Sequence, residues 1–95
     1  MTEETIYERA IRVWKKQPQM LQVIEEMSEL TKEILKNVAR GKDNINKLIE
    51  ETADVEIMLE QLKYCYCIHQ QVESYKQTKL LTIKDRLDQY EQINN

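Results

Sequence analysis

The chain has no phenylalanine, and only one glycine, one proline and one tryptophan in 95 residues. So few turn formers, with few β-branched runs, exclude a sandwich or barrel, whose many short strands need turn signals at regular intervals. No apolar run approaches the roughly 18 residues that span a bilayer. Basic residues do not dominate either: 14 Lys and Arg stand against 17 Asp and Glu, for a net charge of −3. The basic patch on a basic domain that marks nucleic-acid binders is therefore missing. Cysteine and histidine are nearly absent, with Cys65, Cys67 and His69 close together. Residues two apart on a helix point about 200° apart, so these thiols do not readily pair. A lone Cys-x-Cys with one His also lacks a fourth ligand and zinc spacing. Both cysteines read as free, reduced thiols packed in or near a core. Met1-Thr-Glu-Glu-Thr5 is acidic where a signal peptide would be basic and then apolar. The expectation is a cytoplasmic protein with neither a membrane nor a nucleic-acid partner.

What remains is 41% hydrophobic and 33% charged residues in helix-forming order, an ordinary soluble globular composition. The length is one domain's worth. A single all-α domain over 1–95 is expected, an antiparallel helical hairpin or bundle of about four helices. Thr5-Ile-Tyr-Glu8 has the form of a capping box, and Ile6, Tyr7, Ala10, Ile11 and Trp14 follow at helical spacing. This first helix is expected to end before Pro18, with Gln17 pushed out of helical geometry by the proline ring. Pro18 suits the first turn of the second helix. That helix runs to about Arg40, with Met20, Val23, Ile24, Met27, Leu30, Thr31, Ile34, Leu35 and Val38 as one broad apolar face. Glu25, Glu26, Glu29 and Glu33 fall on its opposite half or edge. Gly41 is placed to stop it in the left-handed conformation, and Asp43 or Asn44 to cap the third helix. From Ile57 to Ile68 the third helix is apolar in nearly every direction, which requires cover on several sides. A homo-oligomer, dimer or tetramer, with this helix at its centre is expected. Ser74-Tyr-Lys-Gln77 suggests a break around His69 to Glu73 before a last helix carrying Tyr75, Leu80, Ile83, Leu87 and Tyr90, with Asn94 and Asn95 fraying.

Two acidic segments set the functional expectation: Glu25-Glu26-Met-Ser-Glu29 and Glu51-Thr-Ala-Asp54. Carboxylates three apart on a helix are neighbours on one face. In an antiparallel hairpin turning at Gly41, Glu29 lies level with Glu51, and Glu26 with Asp54, about 15–20 Å from the turn. Glu51 is flanked by Leu48, Val55 and Met58, at or within the apolar stripe, and Glu26 lies beside Leu30 at its margin. Clustered carboxylates drawn toward a core repel one another and lose hydration, which a cation offsets. Hard oxygen donors without a local His or Cys favour Mg²⁺ or Mn²⁺ over zinc. On the last helix Lys79 and Arg86 share a face with Ile83, placed to hold phosphate oxygens if that helix packs on the core.

Glu25-Glu26-x-x-Glu29, a spacer of 21 residues and Glu51-x-x-Asp54 together resemble the two-part EExxE…ExxD signature of the all-α nucleoside triphosphate pyrophosphohydrolases. Within that superfamily the compact form looks most like the short MazG-like proteins. The resemblance covers roughly Trp14 to Leu87. It implies Glu26, Glu29, Glu51 and Asp54 as Mg²⁺ ligands and Glu25 as an assisting group, behind the ligands or orienting the attacking water. It further implies Gln19 and Trp14 near the nucleotide, and Lys79 and Arg86 on its phosphates. The reaction implied is Mg²⁺-dependent hydrolysis of a (deoxy)nucleoside triphosphate to monophosphate and pyrophosphate, in clearing unwanted nucleotides. Two other readings stand beside it: a narrow-specificity enzyme for dUTP, dCTP or phosphoribosyl-ATP, and a non-catalytic helical oligomer that binds a nucleotide or a protein. The residues do not show which base is preferred.

Overall fold

Where each helix starts and stops follows from a few residues. A computed structural model describes residues 3–94. They form α1 (Ile6–Trp14), α2 (Lys16–Arg40), α3 (Ile45–Tyr66) and α4 (His69–Asn94), with no strand among the described residues. Asn95 lies outside the described residues, and Asn94 is the last residue of α4. The capping box at α1 is complete. Thr5 Oγ1 accepts the Glu8 N–H at 3.1 Å, and Glu8 Oε1 accepts the Thr5 N–H at 3.0 Å.

The break after α1 is not made by the proline. It falls at Lys15, whose φ of 72° and ψ of 158° lie in a region that is essentially glycine's. Gln17, expected outside a helix, is helical, and Pro18 sits in the first turn of α2, where a missing N–H costs no intrahelical bond. A non-glycine residue in this conformation stores about 1–3 kcal/mol. Lys15→Gly is therefore expected to stabilise the fold by about 1 kcal/mol after the greater chain entropy of glycine is subtracted. Thermal melting checks this, as a rise of a few degrees.

Gly41 ends α2 as expected, at φ 63° and ψ 27°, with the Lys42 N–H reaching back to Lys36 O at 3.1 Å. Asn44 stands at the start of α3 but its side chain does not cap that helix. Its Nδ2 instead donates across the hairpin to the backbone O of Glu33 at 2.9 Å and to Glu33 Oε1 at 3.0 Å. Asn37 Nδ2 donates to Asn44 Oδ1 at 3.2 Å. Glu33, expected toward solvent, is buried. It is seven residues from Glu26 and belongs to the same inward stripe, Gln19, Val23, Glu26, Leu30 and Glu33. The hydrogen bond from Asn44, then that from Lys36, holds its carboxyl below the ordinary 4.5. A depressed folded pKa gives stability that is present above the unfolded value and lost as pH falls through the folded one. The melting temperature is thus expected to drop as pH falls below about 4.5, and Glu33→Gln to flatten that drop.

The broad apolar face expected on α2 splits in two. Val23 is buried against α3, where Val55 is its buried counterpart, and Leu30 is half-buried. Ile24, Met27, Ile34, Leu35 and Val38 remain exposed. α1 lies across α3 and covers part of its apolar stretch. Tyr7 stacks on Tyr64 with ring centroids 5.3 Å apart, and Gln61 Nε2 donates to the backbone O of Tyr7 at 3.0 Å. The expected break around His69 to Glu73 is replaced by a sharp one at Cys67, which is left-handed at φ 54°. Ser74 to Gln77 then lies inside α4, because helix nucleated at the junction simply continues through it. His69 Nε2 lies 2.8 Å from Glu60 Oε1 and the ring meets Tyr64 edge-on at 4.5 Å. Among the described residues α4 makes no extensive packing with the other helices. The radius of gyration is 17.7 Å, against about 12–13 Å for a compact chain of this length.

Candidate metal centre

Three carboxylates meet between α2 and α3. Glu26, Glu51 and Asp54 each present one oxygen, and the three oxygens lie within 4.8 Å of one another. The inward stripe of α2 brings Glu26, and the matching stripe of α3 (Leu48, Glu51, Val55, Met58) brings Glu51, with Asp54 one turn on. The Gly41 turn and the Asn44–Glu33 bonds fix the two helices' relative height. Gln22 Nε2 donates to Glu26 Oε1 at 2.8 Å and orients it; its position four residues before Glu26 was the available signal for this role.

Glu51 is the most constrained member. It is buried, and its Oε2 has no hydrogen-bond partner. Burial first, then the charges of Asp54, Glu50, Glu26 and Glu29, raises its pKa above the ordinary 4.5. Lys47 feels the charge of Glu51, but its ammonium bonds Glu50 at 3.4 Å and leaves Glu51 Oε2 without a partner. A buried acceptor without a donor is costly in a folded protein, and a second and third carboxylate beside it increase that cost. The donor set suits a hard dication. Oxygens binding one Mg²⁺ at ~2.1 Å stand roughly 3–4 Å apart, so small side-chain rotations close the observed spacing onto a single ion.

The other expected site residues are distributed differently. Glu29 pairs with Lys32 at 3.9 Å; it contributes to the field at Glu51, but its oxygens lie outside the group of three. Glu25 is exposed beside it. Gln19 is buried one turn before Gln22 and lines a groove of about 550 Å³ between α1 and α3, together with Tyr7, Trp14, Met58 and Gln61. Met58 follows Asp54 by four residues on α3, so the groove opens one turn from the acids. Gln61, two turns beyond Asp54 on the inward stripe, was not anticipated as part of this wall. Lys79 and Arg86 lie exposed on α4, which has no extensive packing on the hairpin among the described residues. No family model, no curated protein and no solved structure matches this chain.

Proposed function

We propose that this protein is a Mg²⁺-dependent hydrolase that splits (deoxy)nucleoside triphosphates into a monophosphate and pyrophosphate. One observation carries the reading: a buried, unpartnered carboxylate oxygen on Glu51 stands beside Glu26 and Asp54, and among the described residues none of the three forms an ion pair. Such a group is unfavourable alone and suited to a divalent ion. Glu26, Glu51 and Asp54 would hold the ion, with Glu29 near enough to join through a side-chain rotation or a water. When bound, Mg²⁺ supplies charge for phosphate oxygens and acidifies water. Gln22 keeps Glu26 turned toward the site. The groove beside Met58 takes the nucleoside, where Tyr7 and Trp14 offer aromatic surface and Gln19 and Gln61 offer amides. The order of acids along the chain, resembling the two-part signature described above, supports the choice of a pyrophosphate-releasing reaction over other metal-assisted hydrolysis.

The test is a panel of dNTPs and NTPs incubated with protein and Mg²⁺, scored for pyrophosphate against single phosphate. Pyrophosphate that disappears with EDTA is the expected outcome, and selectivity across the panel identifies the base. Release of single phosphate, or no turnover of any nucleotide while Mg²⁺ still raises the melting temperature, would discard the hydrolase reading and leave a metal-binding helical protein.

A further inference from the structure

The wall that α1 gives to the groove is lightly attached. None of the nine residues of α1 is buried. At the end far from Lys15, two contacts tie it to α3. Gln61 Nε2 donates to Tyr7 O at 3.0 Å, and the Tyr7 ring stacks on Tyr64. Beneath lies the groove of about 550 Å³, which Ile6, Ala10, Val13 and Trp14 line from the α1 side.

α1 is nevertheless braced within itself. The capping box closes its first turn. Arg12 Nε and Nη2 donate to the two carboxylate oxygens of Glu4 at 2.9 and 3.0 Å, spanning most of the helix. Lys15 Nζ donates to Arg12 O at 3.0 Å and ties off its last turn. The hairpin side of the break is fixed as well. Lys16 Nζ lies 4.1 Å from the centre of the Tyr66 ring, and the Gln19 N–H donates to Lys15 O at 3.3 Å. Between the two braced bodies stands Lys15, in a backbone region costly for any residue but glycine. Such strain persists where the surroundings over-determine it, and it gathers at clamps and switches. What over-determines Lys15 is the docking of α1 on α3.

We infer that α1 is a flap over the groove, turning as a rigid unit about Lys15 and latched shut by Gln61 and Tyr64 through Tyr7. One neutral hydrogen bond and one ring stack are each modest, comparable with the strain that closing the flap imposes on Lys15. Open and closed forms therefore lie close in free energy. Opening relaxes the Lys15 backbone and gives a ring-bearing ligand a way into the groove. Closing returns Tyr7, Ala10, Val13 and Trp14 as a wall that keeps water out. What the flap admits rests on the nucleoside reading above; the flap itself uses none of the acids.

The experiment uses the full chain with Cys65 and Cys67 replaced by serine and spin labels on Glu3→Cys and Asn46→Cys, both exposed positions. The distances between the labels are expected to fall into two populations. Gln61→Met removes the latch donor and is expected to raise the open share about fivefold. Lys15→Gly removes the strain of the closed form and is expected to lower that share about fivefold, whereas a pivot that was merely flexible would open more with glycine. Millimolar dNTPs, with Ca²⁺ in place of Mg²⁺, are expected to lower it too. Should Gln61→Met unfold, Lys15→Gly decides alone. A single distance in both the parent and Gln61→Met, or a larger open share in Lys15→Gly, would overturn the flap. Turnover of nucleotides without any shift when they are added would overturn it as well, because α1 would then not close over the substrate. No turnover and no shift would discard the nucleoside reading instead, and the Gln61 and Lys15 variants would then decide the flap.

Discussion

Glu51→Gln is expected to cut turnover roughly a thousandfold and, without metal, to make the protein more stable. Both effects follow from one group. Glu51 is buried, repelled by Asp54, Glu50, Glu26 and Glu29, and holds an unpartnered oxygen. The amide removes the charge and most of the repulsion, so the melting temperature of the metal-free protein should rise. The same change removes one of three ligands from the proposed ion. Metal charge is worth several kcal/mol at a transition state, and each 1.36 kcal/mol is a factor of ten. A loss of roughly 10³-fold in kcat/KM is therefore expected. The stabilisation that Mg²⁺ gives by binding the folded state alone should vanish with it. Melting curves with and without Mg²⁺, beside a pyrophosphate assay, separate the two effects. A variant that is less stable without metal would show that Glu51 is structural in a way its surroundings do not explain. The expected opposition is the usual trade between stability and function at a site that concentrates like charge.

Val23 and Ile24 are adjacent, and truncating them should have different consequences. Val23 is 3% exposed at the hairpin interface and Ile24 is 61% exposed on the outer face of α2. Val23→Ala opens a void in a core with few buried residues and should cost about 2 kcal/mol. For a domain of this size that corresponds to a melting temperature lower by roughly 10 °C. Ile24→Ala leaves the hairpin core intact. Its loss should therefore lower the melting temperature by no more than about 3 °C. Thermal melts of both variants beside the parent distinguish the pair. An equal drop in both would mean that Ile24 carries packing that its 61% exposure does not show.

Much of this was legible in the residues. The Thr5 capping box, the Gly41 stop and the meeting of Glu26 with Asp54 depend on local spacing and on the symmetry of a hairpin about its turn, and all three are found; Glu29, expected level with Glu51, keeps its oxygens outside the group. The misreadings share a cause. Pro18 and Ser74 carry strong local signals, but a proline in the first turn and a serine inside a helix are both tolerated when neighbouring turns supply the bonds. The break went to Lys15 and Cys67, whose positive φ no residue type announces. Helical periodicity found most of the apolar positions on α2, Leu21 apart, but could not tell one wide face from two adjoining ones, since Val23 and Ile24 differ by only 100° around the axis. Glu33, placed opposite the apolar face or at its edge, is buried because Asn44 on the other arm gives it a partner. Lys79 and Arg86 share a helical face as expected, yet whether that face meets the acids is a matter of how α4 leaves the junction at Cys67, which spacing does not encode.

The turn that joins α2 to α3 has a mechanical consequence. Because Gly41 and the Asn44–Glu33 bonds set the height of one arm against the other, the acids meet by counting residues outward from a common origin. One residue inserted in α2 between Glu26 and Glu33 would rotate Glu26 by about 100° and shift it by 1.5 Å, and the cluster would come apart with both helices intact. Seven residues inserted at matching heights in both arms, with the inward stripe continued, would carry the cluster about 10 Å farther from the turn and nearly preserve its facing. The site behaves as a mark at equal distance on two rulers clamped at one end, and it can be moved along them only in whole heptads.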